Sequence, residues 1–422
     1  VTSAGNSFFT ARGEDVKPVN LMPSIPPGCL KTFYAVVVLL GVMQSGAGMA
    51  GAATVEVPFV EFVFTSDVHF GIARGNFRGG ANVDAQIVNA AMVETINRLP
   101  GAMLPADQGL KAGEAIGPID FVAITGDLAS RQELYPVHIQ SAAASWQQFE
   151  STYIDGLTLR NRAGQPTPLL LVPGNHDVSN AIGSPTKMVP ATDATSMAGI
   201  YNRMMQPATP RTRDTYNYAT DKINYSRDFG GVHCVFLTMW PDSGQRAWME
   251  KDFEKIPANT PVFIFCHDQP DLDTRHLTNP NGKHDVNSQD KFENVVSDTC
   301  ADGLTTEAPT TIEQRALVAF LKAHRNIVGY FHGHSNWTEY YTWKGPDGDI
   351  ALKVFRADSP MKGKTGQKDE TKLAFEIVIL DPAAKKMTVR ECLWNAQKKE
   401  NPALAPVDWG IATTVSIAPR AN

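Results

Sequence analysis

Short apolar runs and longer amphipathic stretches alternate along most of the chain. Phe59–Thr65 (FVEFVFT), Ile119–Thr125 (IDFVAIT), Leu169–Val172, Val232–Met239, Val262–Cys266 and Ile327–Phe331 are brief, and several are rich in β-branched or aromatic residues. They read as buried strands. Between them, Val83–Leu99, residues 140–155, Gln245–Lys255 and Ile312–His324 carry helical spacing. In the first of these helices, Ile87, Ala91 and Val93–Ile96 are predicted to share the buried face. The later part of the chain adds the strand runs Thr338–Trp343, Leu352–Arg356, Phe375–Leu380 and Met387–Leu393. Alternation first and strands afterwards predicts a layered α/β domain. Residues 178–228 and 270–310 are polar and read as long inserted loops. Loops of that length in a compact domain usually serve function or are disordered.

Composition narrows the picture. With 422 residues and 43% hydrophobic content, the chain has material for a large core, which excludes disorder as its global state. The formal net charge of −6 argues against general coating of nucleic acid. Five cysteines and no CxxC pair exclude a disulfide-dense scaffold, a zinc ribbon and a thioredoxin-type site. Cys266 is expected as a buried thiol, and a Cys300–Cys392 pair is left open. Near the N-terminus, the run Phe33–Met43 follows Lys31 and precedes the small-residue stretch SGAGMAGAA. That is the layout of a secretory signal, with a cleavage option at Ala50-Gly51-Ala52. The eleven apolar residues are too few for a stable transmembrane span, which needs about 20. The expected organisation is an N-terminal extension with signal peptide over 1–52 and a single domain over 53–422, with insertions near 178–228 and 270–310. The protein is expected to be exported, periplasmic or secreted.

The polar residues that matter fall at strand ends. Five apolar runs terminate in potential metal ligands: Asp67 and His69, Asp127, Asn175, His267, then His334 and Asn336. Ligands at the carboxyl ends of strands in one sheet converge on one rim. Carboxylate, imidazole and amide oxygen together suit borderline to hard divalent ions such as Zn, Mn, Fe or Ni rather than a thiolate-selecting site. Each motif alone is an ordinary turn; all of them in this order, each after an apolar strand, point to a metal centre.

The series SDVH, ITGDLAS, VPGNHD, FCHDQP and HGHSN resembles the calcineurin-like metallophosphoesterase superfamily, over roughly Phe59 to Asn336. The phrasing ITGDL and LLVPGNHD is most similar to the branch with class III cyclic-nucleotide phosphodiesterases, and the GHSN ending to 5′-nucleotidases. The resemblance implies a four-layer α/β/β/α sandwich with a dinuclear metal site at the strand ends. It implies Asp67 and His69 on a first metal, Asp127 bridging, and Asn175, His267 and His334 on a second. Asn336 stands where a histidine ligand of the first metal is usual. His176 would act beside the leaving group as acid or charge stabiliser, with Asp177 either orienting its ring or serving the turn. Ser130 replaces the tyrosine of purple acid phosphatases, which sets that variant aside. The implied cofactors are two divalent ions (Mn, Zn or Fe), and the implied partner is a small phosphodiester or phosphomonoester. A nucleotidase- or nuclease-like activity and an inactive metal-binding scaffold are the alternatives. Arg74, Arg78, Arg211, Arg213 and Arg227 are candidates to hold a second charged group, and 178–228 is a candidate substrate-shaping lid.

Overall fold

The computed structural model describes residues 59–130, 140–179, 193–218, 220–271, 311–396 and 407–421. The signal-like run Phe33–Met43, Cys300, and the insertion from 272 to 310 lie outside the described residues. In chain order the strands are Val60–Thr65 (β1), Ala73–Phe77 (β2), Gly80–Asp84 (β3), Phe121–Thr125 (β4), Leu169–Val172 (β5), Asn224–Phe229 (β6) and Val232–Leu237 (β7). Then follow Val262–Phe265 (β8), Ile327–His332 (β9), Glu339–Trp343 (β10), Leu352–Arg356 (β11), Ala374–Asp381 (β12), Lys386–Leu393 (β13) and Asp408–Ser416 (β14). The α-helices are Ala85–Asn97 (α1), Ala142–Phe149 (α2), Asn175–Ser179 (α3), Thr195–Met205 (α4), Ser243–Phe253 (α5) and Thr311–Ala323 (α6).

Two six-stranded sheets carry the fold, in the orders β14-β13-β12-β1-β4-β5 and β10-β11-β9-β8-β7-β6. Within the first, β1, β4 and β5 are parallel; within the second, β7, β8, β9 and β11 are parallel. The sheets meet through aromatic side chains. Phe62 and Phe64, both on one face of β1, pack edge-on against Phe331 with ring centroids 5.7 and 5.1 Å apart, and Phe62 reaches Phe265 at 5.9 Å. A second core joins Val235, Leu237 and Ile264 to Met249 of α5 and to Leu317 and Leu321 of α6. The result is the expected α/β/β/α sandwich, and residues 55–422 form one compact unit.

Several elements differ from the sequence reading. Helix α1 starts at Ala85 because the Asp84 carboxylate caps it, accepting from Gln86 N at 2.7 Å. Its buried stripe is Val88, Met92 and Ile96, whereas Ile87 is 59% exposed. The helix expected over 140–155 is α2 followed by one π-helical turn, Glu150–Ile154. The segment 178–228 is not a plain loop where it is described: it contains α4 and most of β6. Met197, Ile200 and Met204 recur at helical spacing and are buried, and Gly199 lies against the Trp146 indole. That part is therefore a helical layer of the core and not an overhanging lid; its polar composition concealed the stripe. Cys234, Cys266 and Cys392 are buried free thiols. Among the described residues, no helix is long and apolar enough to cross a membrane.

Candidate metal centre

The strand ends of both sheets meet at one rim. Asp67 and His69 follow β1, Asp127 follows β4, and Asn175 and His176 open α3 directly after β5. From the second sheet come His267 and Asp268 after β8, and His334 and Asn336 after β9. His69 Nε2 lies 3.7 Å from Asp67 Oδ1 and 3.5 Å from Asp127 Oδ2. On the other side of the same carboxylate, His267 Nε2 is 3.5 Å from Asp127 Oδ1 and 3.0 Å from Asn175 Oδ1. The rings of His267 and His334 have centroids 5.2 Å apart, and the backbone N–H of His334 donates to Asp67 Oδ2 at 2.9 Å. His176 Nε2 is 3.9 Å from Asp127 Oδ2. Three overlapping groups have donor atoms within 4.8 Å of one another: His69, Asp127 and His176; Asp67, Asp127 and His267; and His267, Asp268 and His334. Asn336 donates through Nδ2 to its neighbour's carbonyl, His334 O, which turns Oδ1 the other way; that buried oxygen has no hydrogen-bond partner among the described residues.

The backbone is bent to make this possible. Asp67, His69, Asp127, His334 and Asn336 all have positive φ, between 43° and 65°. That conformation is uncommon outside glycine and collects at functional sites. The turns are clamped to each other: Asp67 N donates to Gly126 O, and His69 N to Asp127 O. Gly333 allows the β9 turn to pass close by, since a Cβ there would collide with Ser66 Oγ and Asp67 Oδ2. Asp177 accepts from the backbone N–H groups of Leu128, Ala129 and Gly174 at 2.9–3.1 Å. Its carboxylate therefore ties the β4 and β5 turns together rather than orienting the His176 ring. Burial and the charge of Asp127 push the Asp177 pKa up to about 7, against the pull of those three donors.

The cluster is a set of buried, mutually interacting titratable groups. Burial works to neutralise Asp127, but the charges beside it, that of His267 first, hold its pKa well below the ordinary carboxylate range. Burial works against protonation of His267, yet Asp127, Asp67 and Asp268 pull its pKa up to about 9. Asp67 Oδ1 and His69 Nε2 are buried and make no hydrogen bond with any described residue. Buried polar atoms without partners are costly, and a coordinated ion would satisfy both. Donor chemistry, spacing and orphaned atoms all fit a metal ion.

Residues 60–347 match the family model of the calcineurin-like phosphoesterases. The chain belongs to that family. No curated protein sequence matches it. Solved structures similar to this phosphoesterase include a dimetal phosphatase from Danio rerio, with a TM-score of 0.44 and 10% identity over 79% of this chain and 95% of that one. Others are the phosphopantetheinyl hydrolase of Mycobacterium tuberculosis (TM-score 0.33, 11% identity, 73% and 92% coverage) and Vps29 of Chaetomium thermophilum (0.30, 10%, 86% and 97%). The family makes the protein a hydrolase, and its general reaction is metal-dependent hydrolysis of phosphoesters.

The arginines proposed from sequence are engaged elsewhere in this calcineurin-like phosphoesterase. Arg74 donates to Asn76 O, Pro360 O and Gly366 O. Arg78 donates to Asn395, Arg211 pairs with Asp221, Arg213 with Asp193 and Asp214, and Arg227 stacks on Tyr225. Among the described residues, Lys362 stands beside the ligand cluster, its Nζ 3.4 Å from His176 Nε2. Burial, and next the Lys362 charge, push the His176 pKa well below that of a free imidazole. Lys362 and Asp268 are the residues that sequence reasoning missed. No local pattern marks Lys362; it reaches the rim because β11 pairs in parallel with β9, so the turn after Arg356 arrives beside the turn after His332.

Proposed function

We propose that the protein cleaves a small phosphodiester or phosphomonoester using two divalent ions, Mn, Zn or Fe. One observation carries this reading: six donor residues from four other strand ends gather around Asp127, whose two oxygens face different histidines, His69 and His267. Asp67, His69 and Asn336 would hold one ion, Asn175, His267 and His334 the other, with Asp127 between them. Bound there, the ions would acidify a water and screen the negative phosphoryl oxygens. The chain's own residues do the rest. Asp127 supplies the charge that lets two cations sit close together. His176, beside Asp127 and Lys362, is placed to stabilise charge at the reacting group by hydrogen bonding or to act as acid.

The experiment is a panel of chromogenic diesters, chromogenic monoesters and cyclic nucleotides, run on purified protein with each metal. Turnover of a phosphoester that depends on added metal is expected. Two bound ions with no turnover of any substrate would favour the inactive scaffold. We also propose export, on the basic, apolar and small-residue layout of residues 31–52. N-terminal sequencing of protein recovered outside the cytoplasm should begin near Ala53, and retention inside with Phe33–Met43 intact would refute it.

A further inference from the structure

We infer that Lys362 is a phosphate-binding residue of this centre, holding a non-bridging phosphoryl oxygen beside His176. The inference rests on the phosphoesterase reading above but adds a residue beyond 60–347, the stretch that the family model matches. The turn after β11 is built to aim this side chain. Ser359 Oγ donates to Asp67 O at 2.7 Å and accepts from the backbone N–H groups of Met361 and Lys362 at 3.1 and 2.9 Å. Arg74, itself buried, donates to Pro360 O at 2.8 Å and also to Gly366 O. A lysine on so constrained a turn is pre-positioned, which is what stabilising charge at a reacting group requires.

Its partners are incomplete. An ammonium carries three donors. Among the described residues, Nζ has one neighbour within hydrogen-bond distance, His176 Nε2 at 3.4 Å, and no carboxylate within 4.0 Å. Burial pushes the Lys362 pKa down, and the charges of Asp127 and Asp67 pull against that from further away. A buried ammonium with one neighbour is costly, and an anion beside it removes the cost. The ligand chemistry is a phosphoryl group, which offers non-bridging oxygens to a cation in reach of the metals.

The test uses the full-length, Mn-loaded protein and inorganic phosphate as the probe, with binding read by titration calorimetry and metal content by mass spectrometry. Lys362→Met should weaken phosphate binding roughly 10- to 100-fold with metal content unchanged, the range for losing one charge-assisted hydrogen bond. Lys362→Arg should restore affinity to within about threefold, which separates lost charge from a damaged fold. Phosphate affinity of Lys362→Met within about twofold of wild type would overturn the inference, and so would loss of metal in both variants. Ester turnover by the wild type reports separately on the proposed function. Lys362-dependent phosphate binding without turnover would sink that reading alone, and turnover with Lys362-independent phosphate binding would sink only this one.

Discussion

Asp127 has a histidine on each of its two oxygens, His69 on one side and His267 on the other. Replacing it with Asn removes the charge but keeps the shape. We expect Asp127→Asn to lose tight binding of two ions, measured as metal content after dialysis; two ions retained would refute the bridging role. His176→Ala should keep its metals and lose roughly 10²–10⁴-fold in turnover, because the ring contributes to the reacting group rather than to the ions. Loss of metal in that variant would make His176 a ligand. At this scale the sequence was informative where chemistry sits one or two residues beyond an apolar run, as in SDVH or GNHD. It was uninformative for charge pairing: nothing local shows that Arg211 is taken by Asp221 while the Lys362 ammonium has no ion pair among the described residues.

Turns and strand pairs carry their own predictions. The turn after β9 depends on Gly333, so Gly333→Ala should weaken metal binding at least about tenfold and cost roughly 1–3 kcal/mol of stability, through crowding of Ser66 and Asp67. Metal content and a urea midpoint measured on one preparation would show both effects, and wild-type values in each would rule the crowding out. Between β12 and β13, Glu376 lies directly opposite Glu391. Burial, then the charges of Glu391 and Asp358, push the Glu376 pKa well above the ordinary carboxylate value. The folded state therefore holds a proton that the unfolded chain releases near about pH 4.3. Stability contributed by that proton is present below this pH and lost as pH rises toward the folded pKa. Glu376→Gln cannot ionise, so it should gain stability relative to wild type as pH rises above about 4.3. A urea midpoint difference that stays flat with pH would contradict this. The sequence located most strands and helices to within a few residues, but it missed α4 because Met197, Ile200 and Met204 are diluted by polar neighbours.

For the whole molecule, metal binding and folding are linked. The donors come from both sheets, so an ion bound among them stabilises the folded state and not the unfolded one. Adding Mn at about 100 times its dissociation constant should raise stability by about 2.7 kcal/mol and lift the melting temperature. Asp127→Asn should blunt that rise, and a melting temperature indifferent to metal and chelator would contradict the centre. Deleting Thr195–Met205 should unfold the protein rather than change its substrate preference, because this helix is buried in the core. By itself, the sequence determined the layered α/β class and which polar residues end its strands. Both are written in short-range patterns: the period of each strand, and the polar residues that end it. Only the tertiary structure decided which cation faces the ligands, which arginines are already paired and which turn holds which. Those outcomes depend on contacts such as that of Ser359 with Asp67, 292 residues apart in sequence, and no local pattern records them.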